Sequence, residues 1–214
     1  MGVTLKLATS LDGRIATATG ESRWITGVQA RAAVHRLRSE HDAVLVGIET
    51  ALADDPELTV RLDGFSRRQP SRVILDSRQR LPLTAKLVQT AHAIPTYVIT
   101  TTAPCAALLE AGVRVLQVEA AGDERPELAA VLRALSAEGL QRLFVEGGGQ
   151  VAGAFLRCGL VDRIEWFRAP MVLGGEGRPA IGALALSSLA AAPRFSRTEV
   201  SALGEDLWER YERL

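Results

Sequence analysis

Short β-branched and aliphatic runs alternate along this chain with stretches of helical period, and that alternation predicts an α/β protein built on a sheet. VTLKLA (Val3 to Ala8) reads as the first strand. From Val28 to Arg38 the apolar positions keep helical spacing, with Thr26 placed as the N-cap. AVLVG (Ala43 to Gly47), RVILD (Arg72 to Asp76) and PTYVIT (Pro95 to Thr100) are strands by their nearly unbroken apolar runs. A short helix from Pro104 to Glu110 stops at Gly112, and VRVLQV (Val113 to Val118) returns to strand. Pro126 to Glu138 places Leu128, Val131, Leu132 and Leu135 on one helical face, ended by Gly139. RLFVE (Arg142 to Glu146) is a strand that runs into Gly147-Gly148-Gly149 and a helix to Arg157. After RIEWFRAP and a glycine-rich LGGEGRP loop, RFSRTEVSAL and EDLWERYERL pair as a closing antiparallel hairpin. The segment expected to be most flexible is RLDGFSRRQP (Arg61 to Pro70), which mixes charge, Gly and Pro between two strands.

Composition narrows the class without changing this outline. A chain of 214 residues, 47% hydrophobic and 23% charged, fits one soluble domain over 1–214. The formal net charge of +0 argues against a nucleic-acid partner, so Arg67 and Arg68 read as solvated loop charges. No apolar run approaches the roughly 18–20 residues of a membrane span, and the start MGVTLKLATS lacks a signal-peptide pattern. A cytoplasmic protein with no membrane partner is expected. Cys105 and Cys158 are the only cysteines and are expected to be buried structural thiols. His35, His41 and His92 are scattered, without metal-ligand spacing, so no metal is expected.

Four stretches carry candidate chemistry. VEGGGQVAGAFL ends a strand in a carboxylate and three glycines before a helix, which suits an anion such as a pyrophosphate at the helix start. It is neither a GKS/GKT phosphate loop nor a full GxGxxG turn, so ATP hydrolysis and a Rossmann assignment are disfavoured. Glu146 stands at the strand end, as a ligand contact or as a carboxylate before a helix. SLDGRIATATGESRWIT contributes the Asp12-Gly13 turn and a loop Trp24, which covers a planar ligand or fills a core. TALADDPELTVR puts Thr50, Asp54 and Asp55 just past a strand's carboxyl end, where open α/β sheets bind ligands; a plain turn or cap for the two acids is the competing reading. Pro56 biases Asp55 toward extended backbone. Lys6 lies inside an apolar strand and needs a partner or a ligand.

In their order and spacing, KLATSLDG, GESRWIT, GIETALADDPELTVR and VEGGGQVAGAFL resemble the reductase domain of the riboflavin-pathway deaminase/reductases, the RibD C-terminal type. DSR (Asp76 to Arg78), GLVDRI and the AP-x-x-LGG stretch extend the likeness over nearly the whole chain. The resemblance implies a dihydrofolate-reductase-like α/β fold with a mixed, mostly parallel central sheet, flanking helices and a C-terminal antiparallel hairpin. It implies NADPH-dependent reduction of the ribose of 5-amino-6-(5-phosphoribosylamino)uracil to the ribitylamino product, by a homodimer. Carried over position by position, Ala8, Trp24, Thr50, Asp54, Ser77 and the segment Gly148, Gly149, Gln150, Val151, Ala152, Gly153, Ala154 match cofactor contacts. Ser22, Arg38, Leu58, Arg61 and Glu146 match substrate contacts. Two arginines suit a 5′-phosphate, and Ser77 with Arg78 suits a cofactor 2′-phosphate. On the resemblance, Lys6, Asp54 and Glu146 are the catalytic candidates. The HxE and PCxxC signature of the family's zinc deaminase is absent from these residues. Two other readings remain open: a reductase of another pterin- or pyrimidine-like compound, and a nucleotide-binding module without turnover.

Overall fold

Alternating burial in VTLKLA marks a strand with one face against the core. In the computed structural model, which describes residues 1–214, β1 (Gly2–Thr9) buries Val3, Leu5 and Leu7 and leaves Lys6 and Ala8 half-buried. By its contacts the chain divides into two compact units. A mid-chain unit comprises His35–Phe144 with Met1, and a split unit comprises Gly2–Val34 with Val145–Leu214. The chain passes from one to the other within α1 (Val28–Ser39) and again at the end of β7 (Arg142–Val145).

In the split unit, β1 pairs in parallel with β8 (Arg163–Arg168), and β8 pairs antiparallel with β11 (Asp206–Arg213), which forms the C-terminal hairpin with β10 (Phe195–Leu203). Two short strands that the sequence does not announce, β2 (Arg14–Ala16) and β9 (Arg178–Pro179), pair antiparallel. At three and two residues they are below the length at which alternation can be read. Phe167 is fully buried and stacks on Trp208 at 5.5 Å, so the Trp166-Phe167 stretch is strand interior.

The mid-chain unit orders its strands β7, β3 (Ala43–Gly47), β4 (Ser71–Leu75), β5 (Thr96–Thr100) and β6 (Arg114–Gln117), with β3 through β6 all parallel. Each is followed by a return over the sheet, by α2 (Ile48–Asp54), α3 (Lys86–Gln89), α4 (Ala106–Glu110) and α5 (Leu128–Ala137), as parallel pairing requires. The chain is thus a mixed α/β protein, mostly parallel, with an antiparallel C-terminal hairpin.

Several expectations need correction. Thr26 does not cap α1: the first helical bond runs from the Arg31 amide to the Gly27 carbonyl, and the Gly27 amide donates to Asp206 at 2.6 Å. A carboxylate 179 positions away anchors the start that a local hydroxyl was expected to hold. Cys105 and Cys158 are exposed, because each flanks a helix, Cys105 before α4 and Cys158 after α6 (Gly149–Arg157), and helix ends face water. Asp55 is not extended: with φ 40° and ψ 57° it is the left-handed C-cap of α2, and its amide donates to the Ala51 carbonyl. Asp tolerates this region, and the helix-ending bond outweighs the bias imposed by Pro56.

Arg72, read in the sequence only as a strand residue, is the largest fully buried side chain. Its guanidinium has no carboxylate in contact and is satisfied by neutral acceptors: Thr96 Oγ1 at 2.6 Å, Thr90 Oγ1 at 2.7 Å and the carbonyls of Leu87 and Ile94 at 3.0 and 3.1 Å. It also reaches the Glu57 carbonyl at 3.5 Å. Burial lowers the Arg72 pKa to about 10, with the Glu57 charge acting the other way. The side chain ties α3 and β5 to the segment that follows α2.

Candidate active site

In the mid-chain unit Thr50 and Asp54 lie on the helix that follows β3, Ser77 lies just past β4, and Arg38, Leu58 and Arg61 lie on α1 and on the segment after α2. The five buried residues of β3 lead straight into α2 with no loop between them, Gly47 serving as N-cap. Thr50 and Asp54 are four residues apart, hence on one face of α2, and both are half-buried. A carboxylate in the last turn of a helix opposes the helix dipole, so Asp54 is not explained by helix stability. Its neighbour Asp55 is structural. Besides capping α2, the Asp55 carboxylate accepts from the Lys86 amide at 2.9 Å and lies 3.8 Å from the Lys86 ammonium. The two acids that are adjacent in the sequence therefore separate by role.

Past Pro56, Leu58 is 4% exposed with φ 54°. A γ-branched residue in the left-handed region costs on the order of 1 kcal/mol or more, and burial of its side chain holds it there. The next carbonyl, of Thr59, accepts from Arg38 Nη1 at 2.8 Å, and the Arg61 amide lies 3.2 Å from His35 Nδ1. The Arg38 guanidinium is thus held against the short segment that carries Arg61, whose backbone is tied in turn to α1. His35, in the sequence only one of three scattered histidines, is the joint. The legible signal was its spacing of three from Arg38, which puts both on one face of α1. Arg61 itself is exposed and pairs loosely with Glu57 at 3.7 Å. Gln69 closes the base of the Arg61 to Pro70 loop, its amide making both bonds to the Val60 backbone, at 2.7 and 3.1 Å.

Ser77 follows β4 on the same edge of the unit. Its carbonyl accepts from the hydroxyls of Thr100 at 2.9 Å and Thr101 at 3.3 Å. Arg78 is exposed and pairs with Glu124 at 3.5 Å. Arg80 reaches Glu49 on α2 at 2.5 Å, so the ends of β3 and β4 are joined by an ion pair.

In the split unit, Lys6 and Ala8 share one face of β1 by the strand period. Glu146, half-buried, stands just past β7. Gly148 has φ 82°, which a side chain rarely adopts, and serves as N-cap of α6. The leading N–H groups of that helix, from Gly149, Gln150 and Val151, have no helical acceptor and suit the oxygens of a pyrophosphate. Not every glycine here serves a ligand. A Cβ on Gly149 would fall on the Pro179 carbonyl oxygen, and one on Gly153 would lie 2.9 Å from the Gly182 carbonyl oxygen. The Gly182 amide donates to the Gly149 carbonyl at 2.7 Å. Gly149 and Gly153 therefore let α6, whose inward side also carries Ala152, seat on the 179–182 backbone. Gly149→Ala is expected to cost about 1–3 kcal/mol by overpacking, a fall in melting temperature of roughly 4–10 °C, read by thermal unfolding. A melting temperature unchanged from the parent would contradict this packing role.

The Asp12 turn proves more than a turn. The Asp12 carboxylate accepts from the Ser10 hydroxyl at 2.5 Å and from the amides of Leu173 and Gly174 at 3.1 and 2.8 Å. It clamps the loop after β1 to the glycine-rich loop after β8. The Ser10 hydroxyl acts most strongly; desolvation comes next and opposes it, and the two amides add to the hydroxyl, so that the pKa is held at about 2 against an ordinary 3.8. A carboxylate with a depressed folded-state pKa adds stability above its unfolded value and loses it as pH falls through the folded one. Asp12→Asn is therefore expected to flatten the acid-unfolding curve between pH 3.8 and about 2. A slope equal to the parent's in that window would show that the clamp carries no linked stability.

Trp24 is 66% exposed, with the Arg31 guanidinium 4.5 Å from its ring centroid, so it is not core filler. Ser22 is half-buried on the same loop.

Residues 2–208 match the family described as the RibD C-terminal domain. The chain is 42% identical over 207 residues to the riboflavin biosynthesis protein RibD of Aquifex aeolicus, covering 96% of this chain and 56% of that protein. It is 39% identical over 212 residues to the 2,5-diamino-6-ribosylamino-4(3H)-pyrimidinone 5′-phosphate reductase of Methanothermobacter thermautotrophicus, covering 98% of this chain and 96% of that protein. Among solved structures, Acinetobacter baumannii RibD, form 2, superposes with a TM-score of 0.88 at 35% identity, over 100% of this chain and 58% of the other. The chain thus spans little more than half the length of the RibD proteins it matches.

Proposed function

The chain belongs to the RibD C-terminal domain family, and on that premise we propose that residues 1–214 form a single pyrimidine reductase domain. Its reaction is the NADPH-dependent reduction of the ribose of 5-amino-6-(5-phosphoribosylamino)uracil to an open ribityl chain. The observation that carries a phosphorylated substrate is the hydrogen bond by which the Arg38 guanidinium reaches the Thr59 carbonyl, two residues from Arg61. One guanidinium fork reaching over from α1 and a second on the segment it touches suit a 5′-phosphate, which takes charge-assisted, bidentate hydrogen bonds. Ser22, Leu58 and Glu146 complete the substrate set. Ala8, Trp24, Thr50, Asp54, Ser77 and Gly148 to Ala154 are the cofactor set, with the α6 N-terminus taking the pyrophosphate and Arg78 the 2′-phosphate.

Bound NADPH would supply the hydride for the sugar C1 carbon. The residues of the chain do the rest. The glycosylamine ring must open so that C1 carries a carbon–nitrogen double bond, and a protonated nitrogen makes that carbon the better acceptor. The carboxylates of Asp54 and Glu146 offset the positive charge that develops there, and one of them moves the proton between ring oxygen and nitrogen. Lys6 orients the sugar or donates the proton.

No helix is long and apolar enough to cross a membrane. We further place the domain in the cytoplasm as a homodimer, the latter checked by light scattering on the purified protein. The function is tested by following oxidation of NADPH with the phosphorylated ribosylaminouracil, with NADH as the parallel cofactor. Turnover with NADPH supports it. NADPH binding without turnover on this compound or on its 2-amino analogue overturns it.

A further inference from the structure

The split unit carries a concave surface at the opposite end of α6 from the glycine-rich turn. Since α6 is nine residues long, the two ends lie about 12 Å apart at 1.5 Å per residue. This pocket, of about 450 Å³, is lined by Leu156 and Arg157 at the end of α6, by Gly159 and Val161 in the turn after it, by Ala191 to Phe195, and by Arg213 and Leu214 at and just past the end of β11. Three of its side chains are arginines, Arg157, Arg194 and Arg213, and no Asp or Glu side chain lines it.

None of the three takes part in an ion pair, whereas Arg163 and Arg210 of the adjacent strands pair with Glu212, Glu165 and Glu199. In a chain with equal numbers of basic and acidic residues, three arginines against the single terminal carboxyl group of Leu214 are a local surplus around one concavity. Two of the three are held in place. Arg157 Nη1 donates to the Ala183 carbonyl at 3.0 Å, and Arg213 Nη1 donates to the Gly159 carbonyl. Gly159 has φ 64°, and a Cβ there would come within 3.2 Å of the Arg213 guanidinium, so the glycine leaves the arginine its seat. Each anchored arginine spends one donor on its carbonyl and keeps the others of its fork for a ligand. The carboxyl end of a helix carries partial negative charge that disfavours an anion, but Arg157 in the last turn and Arg213 on the Gly159 carbonyl counter it.

We propose that this pocket binds a phosphate-type anion, held by Arg157, Arg194 and Arg213, as a site separate from the α6 N-terminus. The planar guanidinium forks match phosphate oxygens in bidentate fashion, and three like charges lining one pocket are relieved by a multivalent anion. Binding here does not depend on whether the chain reduces the proposed pyrimidine, because it uses other residues.

The test is a titration of the isotope-labelled full chain with inorganic pyrophosphate, followed by backbone amide resonances. Saturable shifts are expected at Arg157 to Val161 and at Ala191 to Phe195, with a dissociation constant on the order of 1 mM or tighter, weakening as salt is raised. The double variant Arg157→Ala/Arg194→Ala should lose these shifts while keeping the parent's melting temperature and any shifts at Gly147 to Gly153. Shifts confined to Gly147–Gly153, or unchanged shifts at the pocket in the double variant, overturn the site.

Discussion

Asp54→Asn is expected to lower kcat/KM for the phosphorylated ribosylaminouracil by roughly 10²–10⁴-fold, the range for loss of a positioned acid–base or charge-stabilising group. The fall should appear mainly in kcat, because the variant removes charge and proton affinity while keeping the size and shape of the side chain. Folding should be spared. Asp54 ends α2, where a carboxylate opposes the helix dipole, so neutralising it is favourable for the helix itself. The capping bond and the link to Lys86 belong to Asp55 and stay intact. Steady-state kinetics with a thermal melt on the same preparation decide the matter. A kcat within a factor of a few of the parent's would remove Asp54 from the chemistry. A collapse of the melting temperature would assign it to the fold.

Arg72→Met should be the most damaging single change to stability, at about 2–4 kcal/mol. Methionine fills much of the volume but offers no donor to Thr90 Oγ1, Thr96 Oγ1 or the carbonyls of Leu87 and Ile94. Release of a desolvated charge offsets part of the loss, which keeps the net cost below the sum of the bonds. For a chain of this length the melting temperature should fall by roughly 5–15 °C. Arg72→Lys should recover little, because one ammonium cannot reproduce a fork that reaches α3, β5 and the Glu57 carbonyl together. Differential scanning calorimetry on both variants provides the check; melting within a degree or two of the parent would show that the buried guanidinium contributes no net stability. Since Glu57 immediately precedes Leu58, both variants should also raise KM for the phosphorylated substrate.

The site was legible as a set of motifs and illegible as a mechanism of support. TALADDPELTVR shows its acids and its arginine in the sequence, but not that Asp55 caps a helix and binds Lys86 while Asp54 is left without that duty. A helix of seven residues is too short to show a period, so α2 hid behind its own turn-like ending. VEGGG reads correctly as a strand, turn and helix. That Gly149 and Gly153 are demanded by Pro179 and Gly182 could not be read, because the clashing atoms come from a segment some thirty residues on. SLDG likewise displayed a turn and concealed a clamp on Leu173 and Gly174.

Neighbours along the chain are enough to specify the buried parallel strands, the longer amphipathic helices, the closing hairpin and the residue types offered at the strand ends. These follow from local periodicity, glycine and proline chemistry and strand propensity, all of which act within a few residues. Everything that depends on partners distant in sequence was settled only by the folded arrangement. Folding set Gly27 rather than Thr26 at the head of α1, bared both cysteines, buried a charged arginine among neutral acceptors and tied Arg61 to His35. In each case the deciding group is a hydrogen-bond partner or a surface supplied by another element, and no local pattern encodes where that element will lie.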